Sequence, residues 1–147
     1  MTSRCTMAPG DKGGASTPLA IVVNDTESTL RWVAQEFQRN NWRVLTFLSG
    51  VDALKAPELD GAALVVSDVN NRPLKGIDLW HALRDRQVRV PFAFLSPYAS
   101  EMAALFDGVT DRPVAYWDIP LSARAFGARL TDLARDPRGE DAGVVRP

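Results

Sequence analysis

Residues 62–70 read Ala62-Ala63-Leu64-Val65-Val66-Ser67-Asp68-Val69-Asn70. Five apolar residues in succession end abruptly on a hydroxyl and a carboxylate. An apolar run of this length without polar alternation suits a strand covered on both faces, the usual state of strands in parallel sheets. The pattern predicts a strand over Ala62–Val66, with Asp68 just past its carboxyl end.

The same design recurs on either side. Leu19–Val23 is fully apolar and closes on Asn24-Asp25; Arg43–Phe47 reads as a strand; Val90–Leu95 closes on Ser96; Val114–Trp117 runs into Asp118-Ile119-Pro120. Between these runs the period changes to that of a helix. Leu30, Val33, Ala34 and Phe37 predict a helix over Ser28–Asn40, with Thr26 or Ser28 as its cap. Gly50–Ala56 reads as a short helix before Pro57, Ile77–Asp85 as a longer one, and Ser100–Phe106 as another short one. A last helix starts near Ser122 and carries Phe126, Leu130 and Leu133. Five strands alternating with five helices predict an α/β fold, a doubly wound five-stranded parallel sheet with helices on both faces and right-handed crossovers. In such sheets the functional crevice lies beyond the carboxyl ends of the strands. Asn24, Asp25, Asp68, Ser96 and Ile119 are therefore expected on one edge.

Composition narrows the class. The chain has 147 residues, 46% hydrophobic and 24% charged, which suits one core. A formal net charge of -1 gives no electrostatic reason for a nucleic acid or an anionic membrane as partner. No apolar run approaches the roughly 18 residues of a spanning helix, and no secretory signal pattern stands at the N-terminus. The one cysteine, Cys5, excludes an internal disulfide. These features favour the cytoplasm. Residues 1–17 and 136–147 read as flexible tails, leaving a folded unit over 18–135.

Two carboxylates brought together, Asp25 and Asp68, repel unless a proton or cation intervenes. A hard cation such as Mg²⁺ suits oxygen ligands from one or two carboxylates, backbone carbonyls and water. Beside it a carboxylate can serve as nucleophile and form an aspartyl phosphate, because phosphoryl transfer asks mainly for positioning and charge neutralisation.

Four segments then resemble, in order, the response-regulator receiver domains of the CheY-like family. Ile21-Val22-Val23-Asn24-Asp25 resembles the opening strand with its acidic pair, and Leu64 to Asn70 the phosphoacceptor strand and loop, with Gly76 at the loop glycine. Phe94-Leu95-Ser96 resembles the strand ending in the switch hydroxyl, and Tyr116 to Leu121 the segment before the last helix. The resemblance implies the strand order 2-1-3-4-5. It implies Asp68 as phosphoacceptor, and Ser96 and Tyr116 as switch residues. Mg²⁺ would be held by Asp25, Asp68 and the backbone carbonyl of Asn70, with Asn24 reached through water. It further implies a non-enzymatic signalling protein that meets a histidine kinase or phosphotransfer protein, or a downstream protein. The contact would run through the face of the fourth helix, fifth strand and fifth helix, where a homodimer is a further reading.

The chain departs from the family at several points. Asn24 stands where a carboxylate is usual, Ile119 where a lysine is usual, Pro97 where a small residue is usual, and Pro73 one position late. The usual three carboxylates and one lysine sum to about -2, and Asp25 with Asp68 alone also sum to about -2. Metal binding can therefore survive, while the lysine's contact has no evident substitute beyond Arg72 or Lys75. A phosphorylation-independent interaction module stays open beside the phosphoacceptor reading. A flavodoxin-like ligand binder or small phosphohydrolase is less supported. No glycine-rich loop follows the first strand, and Asn70 stands where an acid/base partner is needed.

Plainer readings apply residue by residue. Asp25 also has a plainer reading as a cap of the first helix, and Ser96 as a turn residue before Pro97. Tyr116 and Trp117 alternate across a strand, so one is expected in the core and the other toward a helix or a partner. Trp32 and Trp80 read as packing residues, His81 as a helix-surface residue, and Arg84-Asp85-Arg86 as a solvated helix end.

Overall fold

A computed structural model describes residues 17–135. The expected tails, apart from Thr17, and Cys5 lie outside the described residues. Five strands form one parallel sheet in the order β2-β1-β3-β4-β5: β1 (Leu19–Val23), β2 (Arg43–Phe47), β3 (Leu64–Ser67), β4 (Phe92–Ser96) and β5 (Ala115–Asp118). Four α-helices accompany them: α1 (Glu27–Arg39), α2 (Gly50–Ala53), α3 (Gly76–Asp85) and α4 (Ala123–Arg135). The expected doubly wound α/β fold and strand order are both present.

The sheet is buried on both faces because each strand divides its apolar side chains between them. Ala20, Val22, Val44, Leu64, Val66, Ala93, Leu95 and Trp117 pack with Leu30, Val33 and Phe37 of α1 and Phe126, Leu130 and Leu133 of α4. Ile21, Val23, Leu45, Phe47, Val65, Phe92 and Phe94 point the other way, against Ala53, Leu79, Trp80, Leu83 and Phe106.

Several expected boundaries need correction. Strand β3 starts at Leu64, not Ala62, because Pro57–Gly61 forms a 3-10 turn that delivers the chain late to the sheet. Strand β4 starts at Phe92 rather than Val90, and α2 ends at Ala53. The expected fourth helix is a 3-10 segment, Ala99–Phe106, so there are four α-helices rather than five. Ala103, Ala104 and Leu105 are exposed there, so a full amphipathic face has little to pack on. Thr26 holds the N-cap position of α1, yet its side chain makes no capping bond. The oxygen Oδ1 of Asn24 instead accepts the Thr26 N–H at 2.8 Å.

Arg84 is not part of a solvated helix end. Its side chain is 12% exposed and pairs with Asp111 at 2.9 Å. It donates to the carbonyls of Val88 and Val90 and lies over the Trp80 ring at 5.2 Å. Arg84 thereby closes the turn between α3 and β4, while Asp85 and Arg86 are exposed as expected. Trp80 is buried, Trp32 half-buried and His81 exposed.

Candidate functional site: an acidic pocket at the carboxyl edge of the sheet

Parallel register carries the strand ends to a common edge. Val23 pairs with Phe47 on one side and Ser67 on the other, Ser67 pairs with Phe94, and Ser96 pairs with Asp118. Asp25 and Asp68 follow the two central strands, and the Asp68 N–H donates to the Val23 carbonyl at 3.2 Å. The two carboxylates are close enough that the charge of Asp25 acts on Asp68.

Backbone amides of the loop between β3 and α3 hold both carboxylates. Oδ2 of Asp25 accepts the Arg72 N–H at 3.0 Å, so the carboxylate does not cap α1. Oδ1 of Asp68 accepts the Val69 N–H at 2.7 Å. Burial holds the Asp68 carboxyl above its ordinary 3.8 and the charge of Asp25 adds to this, while the amides of Val69 and Asn70 pull it down. The folded protein therefore binds this proton more tightly than the unfolded chain. Ionised Asp68 opposes folding, and the penalty grows as pH rises from 3.8 through the raised folded value. Asp68→Asn is expected to melt above the wild type at neutral pH, with the difference closing on acidification below 3.8. Parallel melting curves across that range would contradict this.

Asn71 is a member of the site that the sequence reading missed. It is 1% exposed. Its Nδ2 donates to the Val23 carbonyl and to Ser67 Oγ, both at 3.2 Å, and its Oδ1 accepts the Asp25 N–H at 3.0 Å. Ser67 Oγ in turn donates to the Asp68 carbonyl at 2.8 Å. Nothing in the string Asn70-Asn71 says which amide turns inward. In the structure Asn70 is exposed and Asn71 buried.

The far strands complete the edge. Ser96 is 2% exposed, and its Oγ accepts the Tyr98 N–H at 3.0 Å. That contact leaves the hydroxyl hydrogen free to donate. Tyr116 is half-buried and stacks on Phe94 with centroids 6.2 Å apart. Burial pushes its hydroxyl up to about 12, so it stays a proton donor at physiological pH. Trp117, on the opposite face, is buried in the α1–α4 layer, as strand alternation requires. Ile119 packs against that same layer. Oδ1 of Asp118 accepts the Ser100 N–H at 2.8 Å. Among the described residues no ion pair joins Arg72 or Lys75 to Asp25 or Asp68, and both basic side chains are exposed.

The donors around the pocket are hard oxygens. Each carboxylate keeps a second oxygen beyond the one bound by an amide. Among the described residues no group of three or more His, Cys, Asp and Glu is placed to hold a metal. A cation here would rest on two carboxylates, a carbonyl and water, a set that suits Mg²⁺. The burial and mutual repulsion of Asp68 and Asp25 favour such a counter-charge.

No family model matches the chain. Over 118 residues it is 30% identical to the alkaline phosphatase synthesis transcriptional regulatory protein PhoP of Bacillus subtilis, a match covering 78% of the chain. The chain spans about half the length of that curated relative, 48%. A response regulator receiver domain protein from Clostridium thermocellum superposes with a TM-score of 0.69 at 15% identity, over 82% of this chain and 96% of the other. The response regulator TrrA of Thermotoga maritima, solved with Mg²⁺ and a beryllium fluoride, superposes with a TM-score of 0.64 at 16% identity, over 80% and 99%. Sheet order and these likenesses give the chain the CheY-like fold of the response-regulator receiver domains. Asn24 follows β1, Ile119 follows β5, and Asn71 is buried in the loop after β3. No helix among the described residues is long and apolar enough to cross a membrane.

Proposed function

We propose that this domain accepts a phosphoryl group on Asp68 from a histidine kinase or phosphotransfer protein and passes the signal on by protein contact. The observation that carries this reading is the pairing of Asp68 with Asp25 at the carboxyl edge of the sheet, one oxygen of each tethered by a loop amide. The tether on Oδ1 orients the Asp68 carboxylate and leaves Oδ2 as nucleophile. That oxygen forms a bond to phosphorus as the donor's bond breaks, and the leaving group departs with the electron pair. The Ser96 hydroxyl, with its hydrogen uncommitted, is a donor for a phosphoryl oxygen. Mg²⁺, when bound, supplies charge neutralisation for the phosphoryl oxygens; Asp25, Asp68 and the Asn70 carbonyl would hold it, with Asn24 reaching it through water. The Oδ1 of Asn24 accepts the Thr26 N–H, and its second lone pair is what would accept from a metal-bound water.

Incubation with a small-molecule phosphodonor and Mg²⁺ is expected to give one acid-stable, base-labile phosphoryl adduct by intact mass, absent in Asp68→Asn. An unmodified wild type beside a labelled control receiver would overturn the proposal. That outcome would favour a second reading, a phosphorylation-independent interaction module. Ile119 packed into the core layer and Asp118 turned to Ser100 support it, since no cation stands at the end of β5. In that case Asp68→Ala leaves partner binding intact.

A further inference from the structure

The loop joining β3 to α3 does more than connect them. A single buried side chain, Asn71, ties it to both acidic strand ends. Its three hydrogen bonds run to the last carbonyl of β1, to the last hydroxyl of β3 and from the amide of Asp25. The next residue, Arg72, gives its amide to the Asp25 carboxylate. The preceding residue, Asn70, carries the carbonyl that the proposed cation site uses. Ser67 relays the network to the backbone of Asp68. One side chain thus sets the backbone that orients Asp25, the backbone that orients Asp68 and the carbonyl between them.

We infer that Asn71 is the positioning residue of the acidic pocket, holding Asp25 and the loop carbonyl in the arrangement that seats a divalent cation. This rests on the reading of the pocket as a Mg²⁺-assisted phosphoacceptor site. The physical reason is burial. With 1% exposure, the carboxamide has no water to turn to, so all three bonds must be kept together. A surface asparagine in the same loop would leave the backbone free to wander. All three hydrogen bonds of Asn71 go to the protein, so it acts on the pocket through Asp25, Ser67 and the loop. Residues that orient ligating groups typically change metal affinity by about 10- to 100-fold when removed.

The test uses the full chain, with Asn71→Ala, the milder Asn71→Ser, and Asp25→Ala as the control that removes a ligand. Mg²⁺ affinity is read by calorimetry and by amide chemical shifts, and protection of the Asp25 and Arg72 amides by hydrogen exchange without metal. The expected result is about 10-fold weaker Mg²⁺ binding in a variant that still melts cooperatively, with faster exchange at both amides. A purely structural asparagine would lower the melting temperature and leave the affinity of the folded fraction unchanged, and that result overturns the inference. Should Asn71→Ala not fold, Asn71→Ser carries the same comparison. If the wild type itself binds no Mg²⁺, the phosphoacceptor reading fails and so does the cation seat. Faster exchange at Asp25 and Arg72 would then support only the part of the inference that makes Asn71 the holder of Asp25, and unchanged exchange would overturn that part as well.

Discussion

Gly76→Ala is expected to destabilise the domain by about 3 kcal/mol, the upper end for forcing an atom into a closed core, and to weaken the acidic pocket with it. A Cβ at this position would lie 2.3 Å from the Asp68 carbonyl oxygen, 2.9 Å from Cε1 of Phe94 and 3.1 Å from Ser67 Oγ. The nearest of these is backbone and cannot rotate away. The Asp68 carbonyl also receives the Ser67 hydroxyl, and the Gly76 amide donates to the Val69 carbonyl at 3.0 Å. The first turn of α3 and the end of β3 must separate, and Asp68 sits on the part that moves. Thermal melts should fall by about 10 °C, and phosphoryl labelling of the folded fraction should fall as well. A variant melting within about 2 °C of wild type would show that the close approach is relieved at little cost.

Phe126→Ala should cost about as much or more, near 4 kcal/mol, while sparing the pocket. Its ring is fully buried and meets Phe37 edge-on at 5.1 Å and Trp32 at 5.8 Å, with Trp117 tilted at 6.0 Å. Removing it leaves a cavity between α1, α4 and the sheet that three rigid rings cannot collapse to fill. Domains of this size have about 5–15 kcal/mol in total, so the variant should unfold at much lower denaturant. The folded fraction should keep the phosphoryl labelling proposed for Asp68, because the lost contacts lie in the layer opposite Phe94 and Tyr116. Loss of labelling in proportion to Gly76→Ala would mean that the two layers are coupled through the sheet. The pair of variants therefore separates damage to the site from damage to the fold.

Much of the architecture was legible in the residues. Leu19–Val23, Leu64–Ser67 and Phe92–Ser96 are apolar runs of the kind that fills the centre of a parallel sheet, and each ends on or just before a polar residue. Helices α1 and α4 carry their apolar residues at the spacing that one buried stripe needs. The weakly patterned stretches were misjudged. Ala99–Phe106 has helix-forming residues, but what decides its form is how little core it meets. In the sequence Arg84 looks solvated because its neighbours are charged. Its partner Asp111 lies far along the chain, in the loop before β5, and only the fold brings the two together.

By itself the sequence determined the kind of sheet, its order of elements and the two carboxylates of the pocket, since strand burial and strand-end placement follow from local hydrophobic pattern. The family resemblance adds the expectation that Ile119 stands at the position of a lysine. Tertiary structure alone decided which loop side chain is buried beside the two carboxylates, that Asn24 Oδ1 binds the Thr26 amide, and that Ile119 joins a core layer. The reason is range. Hydrophobic period is written in neighbouring residues, whereas the bonds of Asn71 reach 46 and 48 positions back along the chain to Asp25 and Val23 and exist only once β1 and β3 lie side by side.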